Sequence, residues 1–268
     1  MMSDVSAFVA ATAATWPPAA LHPAGAFVVG EGQGGGQRVS SARFIGDRFD
    51  PADIGRAVAG LASLGQRPSF AVFDTDPPAL DTALAADYAM GDRVVLMART
   101  LSPDGHAQEG SVPDAFTSDT FTLDVFAAES PIPSTPLCTL TAHWPPTPAQ
   151  IALWQAAGIG PARLAVMHRA PAPRAALAVQ MAGRLAGCAF AAISNGIAVL
   201  HALEVAPANR RQGLGRRLMQ AAAHWARAQG AGHLALLVVE TNAPARALYD
   251  GLGYAPVTAM HYRIGAPA

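Results

Sequence analysis

The second half of the chain alternates between stretches with the apolar spacing of helices and stretches with that of strands. One predicted helix begins at Thr147 and buries Trp154, and a second spans 161–167. Apolar runs predict a series of strands at 136–142, 175–180, 187–193, 197–205 and 234–240. Ser194-Asn195-Gly196 predicts a tight hairpin turn, because Asn-Gly favours the primed turns. A further helix begins near Leu214.

The first half shows a shorter series of the same kind. Residues 4–14 predict a helix, and an amphipathic helix begins after Asp50 and ends at Gly65. The remaining predicted elements are strands at 26–29, 38–44, 69–73 and 88–98, a helix at 79–87, and a further strand at 121–128 beyond a Ser-, Pro- and Gly-rich linker over 101–118.

The two series resemble each other in detail. Residues 75–79 (TDPPA) echo 241–245 (TNAPA), and at the same offset Tyr88 corresponds to Tyr254. The order of helix, strand, turn, helix, Tyr and strand occurs twice, which predicts an internal repeat. We therefore predict two domains, 1–128 and 129–268. Chance similarity of two α/β segments is the alternative.

A glycine- and arginine-rich segment follows the strand over 197–205. Gly213 and Gly215 allow close approach of a ligand to the backbone, and the new helix presents free N–H groups and a positive dipole end. Nearby positive charge comes from Arg210, Arg211, Arg216 and Arg217. The segment predicts a site for a phosphate-bearing ligand; the simpler alternative is a loop beside a solvated basic helix face.

These motifs together resemble the GNAT superfamily of acetyl-CoA-dependent N-acetyltransferases. The resemblance rests on Arg210-x-x-Gly213-x-Gly215 after one strand and on a second group of residues after the next strand, namely Asn242, Ala245, Leu248-Tyr249 and Gly253-Tyr254. It implies an α/β fold of the α+β type, with a mixed central sheet flanked by helices. The first half, with Asp76 in place of Asn242 and no paired glycines near Phe44, corresponds to a degenerate GNAT-like half that holds no cofactor.

The resemblance also implies roles for single residues. The pyrophosphate of acetyl-CoA would lie on the helix start, and the pantetheine arm would meet main-chain groups of Leu203 and Val205. Tyr249 corresponds to a tyrosine that protonates the departing thiolate, and a tyrosine packed in the core is the alternative. Asn242 contacts the pantetheine, caps its helix, or does both. The predicted cofactor-binding loop comprises Arg210, Arg211, Gln212, Gly213, Leu214, Gly215 and Arg216.

A proton must leave the attacking amine, and three main acceptors are open, while Glu240 at the end of the next predicted strand could also reach the cleft. His201 has a suitable ordinary pKa, and strand alternation predicts that it shares a face with Leu203 and Val205. Glu204 is predicted on the opposite face with Ala202. A water molecule is the third possibility, and a buried structural histidine is the alternative interpretation of His201.

Another glycine motif, Gly30-x-Gly32-x-x-Gly35, matches the dinucleotide fingerprint only formally. That fingerprint opens a helix, whereas the chain here continues as RVSSARF with strand character. The motif therefore predicts a β-hairpin connection.

Composition narrows the class of protein. Of 268 residues, 51% are hydrophobic and 14% charged, and the net charge of −1 disfavours nucleic acid as a partner. No apolar run is long enough to span a membrane, the two cysteines lack metal-ligand spacing, and no histidine pair has it, so no metal is expected. We expect a cytoplasmic bacterial protein, monomeric or homodimeric, that acetylates a primary amine of a small molecule or peptide with acetyl-CoA. A catalytically silent acyl-CoA-binding protein is the alternative.

Overall fold

The computed structural model describes residues 5–101, 121–124 and 138–266, with the backbone alone for 121–124. Seven helices are present in this part of the chain: α1 (Val5–Ala14), α2 (Ala52–Ser63), α3 (Pro78–Ala85), α4 (Pro148–Ala156), α5 (Pro161–Arg169), α6 (Leu214–Ala228) and α7 (Ala243–Asp250). The strands are β1 (Leu21–Ala24), β2 (Phe27–Gly30), β3 (Ala42–Phe44), β4 (Ser69–Phe73), β5 (Ala89–Thr100), β6 (Phe121–Asp124), β7 (Cys138–His143), β8 (Arg174–Met181), β9 (Arg184–Ser194), β10 (Ile197–Val205), β11 (His233–Val239) and β12 (Ala255–Ile264).

All twelve strands belong to one mixed sheet. Their order is β1-β2-β3-β4-β12-β5-β11-β10-β9-β8-β7-β6. The two ends of the sheet are antiparallel meanders, and the pairs β3–β4 and β10–β11 are parallel. The predicted mixed sheet flanked by helices is confirmed.

The predicted repeat corresponds to a repeat of topology. In each half a strand leads through a helix to a parallel neighbour, then through a second helix to a final strand: β3-α2-β4-α3-β5 and β10-α6-β11-α7-β12. The final strands are interleaved, since β12 lies between β4 and β5 while β5 lies between β12 and β11. Each half thus completes its sheet with a strand of the other. Most of the predicted linker and the boundary between residues 128 and 129 lie outside the described residues, and that division stays a prediction.

The helices cover the two faces of the sheet. On one face, α2 and α3 pack on the first half while α6 and α7 pack on the second, around buried residues such as Leu61, Leu84 and Leu218. On the other face, α4 and α5 bury Trp154 and Met167, and α1 crosses the centre of the sheet over β10 and β11. Four of the five clusters of buried residues combine side chains of both halves, and the fifth lies within the first half.

Local sequence signals explain several element boundaries. Thr147 caps α4 in a capping box with Gln150, and Asn195 and Gly196 both have positive φ, as the predicted primed turn between β9 and β10 requires. Two details were not predicted. Residues 37–39 form a 3-10 helix, so that β3 begins only at Ala42, and Leu21–Ala24 is an edge strand despite its proline.

Candidate active site

The sheet opens between β10 and β11. The two parallel strands pair from Ile197 to Leu200 and then diverge, whereas β11 continues to pair with β5 as far as Val239. Past Leu200, the edge of β10 that faces β11 has no strand partner within the described structure. Residues 201–205, which include Leu203 and Val205, therefore have no ladder partner on β11.

A β-bulge lies in β10 at the mouth of this opening. The register against β9 shifts between His201 and Glu204, so that Ala202 and Leu203 together lie opposite one residue of β9. Ala202 has a positive φ of 51°, and its carbonyl oxygen accepts a hydrogen bond from Trp154 Nε1 at 2.8 Å. A buried indole therefore holds the bulge in place.

The bulge corrects the predicted alternation of side chains along β10. Leu203 and Val205 pack into the core beneath α6, whereas His201 lies on the opposite face beside Trp16 and Phe190. The prediction that His201 shares a face with Leu203 and Val205 is wrong. The extra residue reverses the period-2 pattern after His201.

The predicted anion-binding loop runs from the end of β10 to the start of α6. Gly213 caps the helix in the left-handed conformation with φ of 76°, and Arg211 also has a positive φ of 65°. The first bond of this turn runs from Arg217 N–H to Gly213 O, so the amides of Leu214, Gly215 and Arg216 have no acceptor one turn earlier in the helix. These amides are available to an anion.

Arginines surround this helix start although a helix dipole disfavours them there. The first turn of α6 contains no acidic residue, while Arg216 and Arg217 lie within it. Arg210 is anchored by a hydrogen bond from its Nε to Val205 O at 3.1 Å, and Arg216 Nη1 approaches Gly251 O at 3.4 Å. Such an accumulation of positive charge is stabilised when an anion binds.

The second motif lies beside the first. Asn242 caps α7, since its side chain accepts a hydrogen bond from Ala245 N at 3.2 Å. The asparagine therefore has the predicted structural role of a helix cap. A Cβ on Gly215 would lie 3.2 Å from Leu248 Cδ2, so that glycine allows α6 and α7 to pack closely. Tyr249 is 8% exposed, and burial first, then the charge of Glu204, raises the pKa of its phenol.

Glu204 is a half-buried carboxylate at the end of β10. It pairs in register with Cys188, and its charge affects both Cys188 and Tyr249. Burial raises the pKa of Glu204, while the nearby Arg210 opposes that shift. A carboxylate with a raised pKa is a stronger base than an exposed one.

His201 is buried and both of its ring nitrogens have partners. Arg38 Nη1 donates to Nδ1 at 3.0 Å, and Nε2 lies 2.9 Å from the hydroxyl of Thr15. Because arginine only donates, Nδ1 carries no proton and the imidazole is the neutral Nε2–H tautomer. Burial, and then the charge of Arg38, lowers the pKa of His201 well below its usual value.

Two neighbouring cavities lie on the His201 side of the sheet. A polar one of about 210 Å³ is lined by Trp16, Arg38, Arg163, His201 and Ala202, and an apolar one of about 370 Å³ lies beneath α1. Both share Trp16 and Arg38 as wall residues. The structure therefore places His201 and the bulge on a cavity that the sequence motifs did not predict.

The residues that sequence reasoning missed come from the first half. Trp16 and Arg38 lie far along the chain from the recognised motifs, and their neighbourhood depends on the position of α1 and of the loop between β2 and β3. The one available signal was the glycine run before Arg38, which the pattern explained only as a hairpin connection. That connection is confirmed, since β2 and β3 are antiparallel neighbours.

Residues 137–254 match the model of the Acetyltransferase (GNAT) family. This segment belongs to that family. The match contains β7 through α7, and therefore both the opened strands and the glycine loop.

Curated relatives of this GNAT domain cover it only in part. Streptothricin acetyltransferase of Streptomyces lavendulae is 46% identical over 86 residues, which are 31% of this chain and 44% of that protein. The uncharacterized N-acetyltransferase YobR of Bacillus subtilis is 32% identical over 72 residues, 27% of this chain and 29% of that protein. The chain thus spans less than half the length of either relative.

Solved structures resemble the whole molecule, including its first half. A GCN5-related N-acetyltransferase from Kribbella flavida has a TM-score of 0.57 at 19% identity, covering 99% of this chain and 97% of that one. A tandem GNAT protein from the clavulanic acid biosynthesis pathway has a TM-score of 0.55 at 15% identity, covering 85% of this chain and 76% of that one. These similarities establish a fold with two GNAT-like halves.

The described segments contain neither a candidate membrane-spanning helix nor a candidate metal site. No helix there is both long and apolar enough to cross a bilayer. No three His, Cys, Asp or Glu side chains within 5–101 and 138–266 are arranged to hold a metal ion. Cys138 and Cys188 are both buried and free.

Proposed function

We propose that the protein transfers an acetyl group from acetyl-CoA to a primary amine of a small molecule or peptide. The observation that carries the proposal is the position of the glycine loop. The left-handed Gly213, the free amides of Leu214, Gly215 and Arg216, and the surrounding arginines form a cationic cradle at the opening between β10 and β11. Its chemistry suits a pyrophosphate.

Residues of the cradle would hold the cosubstrate, and the opened edge of β10 would position the acyl group. Arg210 and Arg211 lie outside the helix start, Gln212 joins them to Gly213, and main-chain groups of Leu203 and Val205 line the opening. Acetyl-CoA supplies the thioester. Main-chain amides directed at its carbonyl oxygen would stabilise the negative charge that develops there.

We assign the proton transfers to Tyr249 and Glu204. Because its pKa is raised, the Tyr249 phenol stays protonated and can donate to the departing thiolate. Glu204, with its own raised pKa, would take the proton of the amine directly or through a water molecule. His201 remains a predicted base, but one of its ring nitrogens would first have to give up its hydrogen bond to Arg38 or Thr15 and bond to the amine instead.

Calorimetric titration with acetyl-CoA tests the cosubstrate site. The wild type is compared with an Arg210→Gln, Gly213→Ala double variant and with Gly183→Ala, a matched control whose glycine has a similar φ of 73° in a distant hairpin. We expect saturable binding that only the double variant loses. If wild type fails to bind acetyl-CoA, the proposal is wrong. If it binds without releasing coenzyme A in any amine screen, the protein is the silent acyl-CoA binder.

A further inference from the structure

The glycine run of the first half forms one wall of the polar cavity. Added Cβ atoms would lie 2.7 Å from Val166 Cγ2 at Gly35 and 3.2 Å from Arg163 Nε at Gly36, which also has φ of 97°. The absence of side chains at these glycines therefore lets the loop between β2 and β3 pack against α5. That packing places Arg38, two residues further on, over the bulge of β10.

Arg38 has an unusual environment for a cation. Its guanidinium stacks on Trp16 at 5.5 Å and donates to a neutral imidazole, and among the described residues no carboxylate pairs with it. Burial is the main cause that lowers its pKa, the nearby Tyr262 phenol opposes that shift, and the like charge of Arg163 lowers the pKa further. Arginine stays protonated even so, which leaves two uncompensated positive charges at one cavity.

Arg38 nevertheless keeps contact with solvent. The residue as a whole is exposed, although its charged group is surrounded by protein, and it lines both cavities. Arg163 is also exposed and lines the polar cavity. By contrast Arg43, the other arginine on the apolar cavity, interacts with the carboxylate of Asp76. The polar cavity is therefore lined by Arg38 and Arg163, neither of which has a carboxylate partner among the described residues, and Arg38 also lines the apolar one.

We propose that the acetyl acceptor is an amine that also carries a carboxylate, bound by Arg38 with help from Arg163. This inference rests on the proposed function, because it assigns the cavity beside the bulge to the acceptor. A planar guanidinium matches a carboxylate in two parallel hydrogen bonds, and the apolar cavity beneath α1 receives the uncharged body of the same molecule. Arg38 is then a specificity-determining residue, contributed by the half that lacks a glycine cradle.

Binding of simple carboxylates tests the inference without requiring catalysis. Benzoate, phenylacetate and 3-phenylpropanoate are titrated into the full-length protein by calorimetry, each beside its uncharged amide. We expect at least one acid to bind about tenfold or more tightly than its amide. Arg38→Gln should remove that preference and Arg38→Lys should restore part of it. Failure of all three acids, or equal binding of acids and amides, would overturn the inference.

Two further variants separate binding from damage to the fold. Arg163→Gln changes an exposed side chain of α5 and should weaken acid binding. This variant tests the inference independently if Arg38→Gln does not fold. Arg184→Gln removes an exposed arginine from the distant β8–β9 hairpin and should leave it unchanged. Acetyl-CoA binding is measured on the same samples. If acetyl-CoA binds and the acids do not, this inference fails alone; if acids bind and acetyl-CoA does not, the proposed function fails.

Discussion

Arg38 Nη1 lies 3.0 Å from Nδ1 of His201, which is 163 residues away in the sequence. The contact joins the loop between β2 and β3 to the bulged strand β10. It fixes the tautomer of His201 and fills the position from which that ring would accept a proton. Both halves of the chain therefore line one cavity, and residues 137–254 contribute only part of its wall.

Gly213→Ala should separate backbone strain from loss of the cosubstrate site. A Cβ at Gly213 meets no atom within 4 Å, so its cost comes from the left-handed φ and is about 1–2 kcal/mol of unfolding free energy. Gly183→Ala should cost a similar amount, since its φ is alike and its surroundings are also open. Urea unfolding and acetyl-CoA titration of both variants check this. Equal loss of affinity in both would contradict a specific role for Gly213.

Tyr249→Phe should slow turnover and leave acetyl-CoA affinity almost unchanged. The substitution keeps the buried ring but removes the proton donor, a loss of about 10²-fold or more for general acid catalysis. Tyr254→Phe is the matched control, because its ring lies 6.1 Å from that of Tyr249. Steady-state release of coenzyme A is the measurement. Turnover of Tyr249→Phe equal to wild type would exclude the phenol from the mechanism.

The pH dependence of kcat/KM should identify the base. Glu204 must lose its proton to act, so activity should rise as pH increases through its pKa, which burial holds above the ordinary 4.5. Glu204→Gln should lower kcat/KM by about 10²-fold and abolish this acidic limb. Glu240→Gln is the control, since Glu240 follows the neighbouring strand β11 and lies 3.6 Å from Arg93. An unchanged limb in Glu204→Gln would indicate His201 or water instead.

Asp81→Asn should destabilise the protein at neutral pH and progressively less in acid. Asp81 on α3 accepts hydrogen bonds from Arg263, and pairs with His261 at 2.8 Å, which lowers its pKa to about 2. A depressed pKa contributes stability above the unfolded value of 3.8, and that contribution disappears as pH falls from 3.8 towards 2. Because Asp81 is a third exposed, solvent screening leaves about 1 kcal/mol.

Urea unfolding at pH 7 and pH 3 measures this difference between wild type and Asp81→Asn. Asp87→Asn, in the exposed turn after the same helix, serves as the control and should match wild type at both values. A stability loss that is the same at pH 3 and pH 7 would show that the effect is not ionic.

The isolated segment 129–268 should be poorly soluble. It lacks β5, which in the full chain separates β11 from β12, so both strands would lose a partner and expose backbone groups and apolar side chains. Coexpression with 1–128 should restore a soluble complex that binds acetyl-CoA. Solubility of each segment, alone and together, is the measurement, and a monomeric, active 129–268 would contradict the expectation.

Much of the fold was predictable because its signals are local. Asn195-Gly196 specifies a primed turn through positive φ, Thr147 and Gln150 form a capping box, and Gly213 begins a helix in the left-handed conformation. The repeated TDPPA and TNAPA segments indicated two similar halves in advance. Each of these features depends on a few neighbouring residues, and for that reason the sequence alone predicts it.

Other features depend on residues distant in sequence. The alternation of β10 predicted His201 on the face of Leu203, and a bulge held by Trp154 reversed it. The exchange of β5 and β12 has no local signal, since neither TDPPA nor TNAPA indicates with which half the following strand pairs.

The sequence by itself determined most of the strand and helix order, the glycine loop before α6 and the positions of Asn242 and Tyr249, because backbone conformation and capping are set within a turn. Only the tertiary structure decided that Arg38 reaches His201. That contact depends on loop packing against α5 and on a sheet shared by both halves. Such long-range packing is specified by the whole core, and no short stretch of the sequence predicts it.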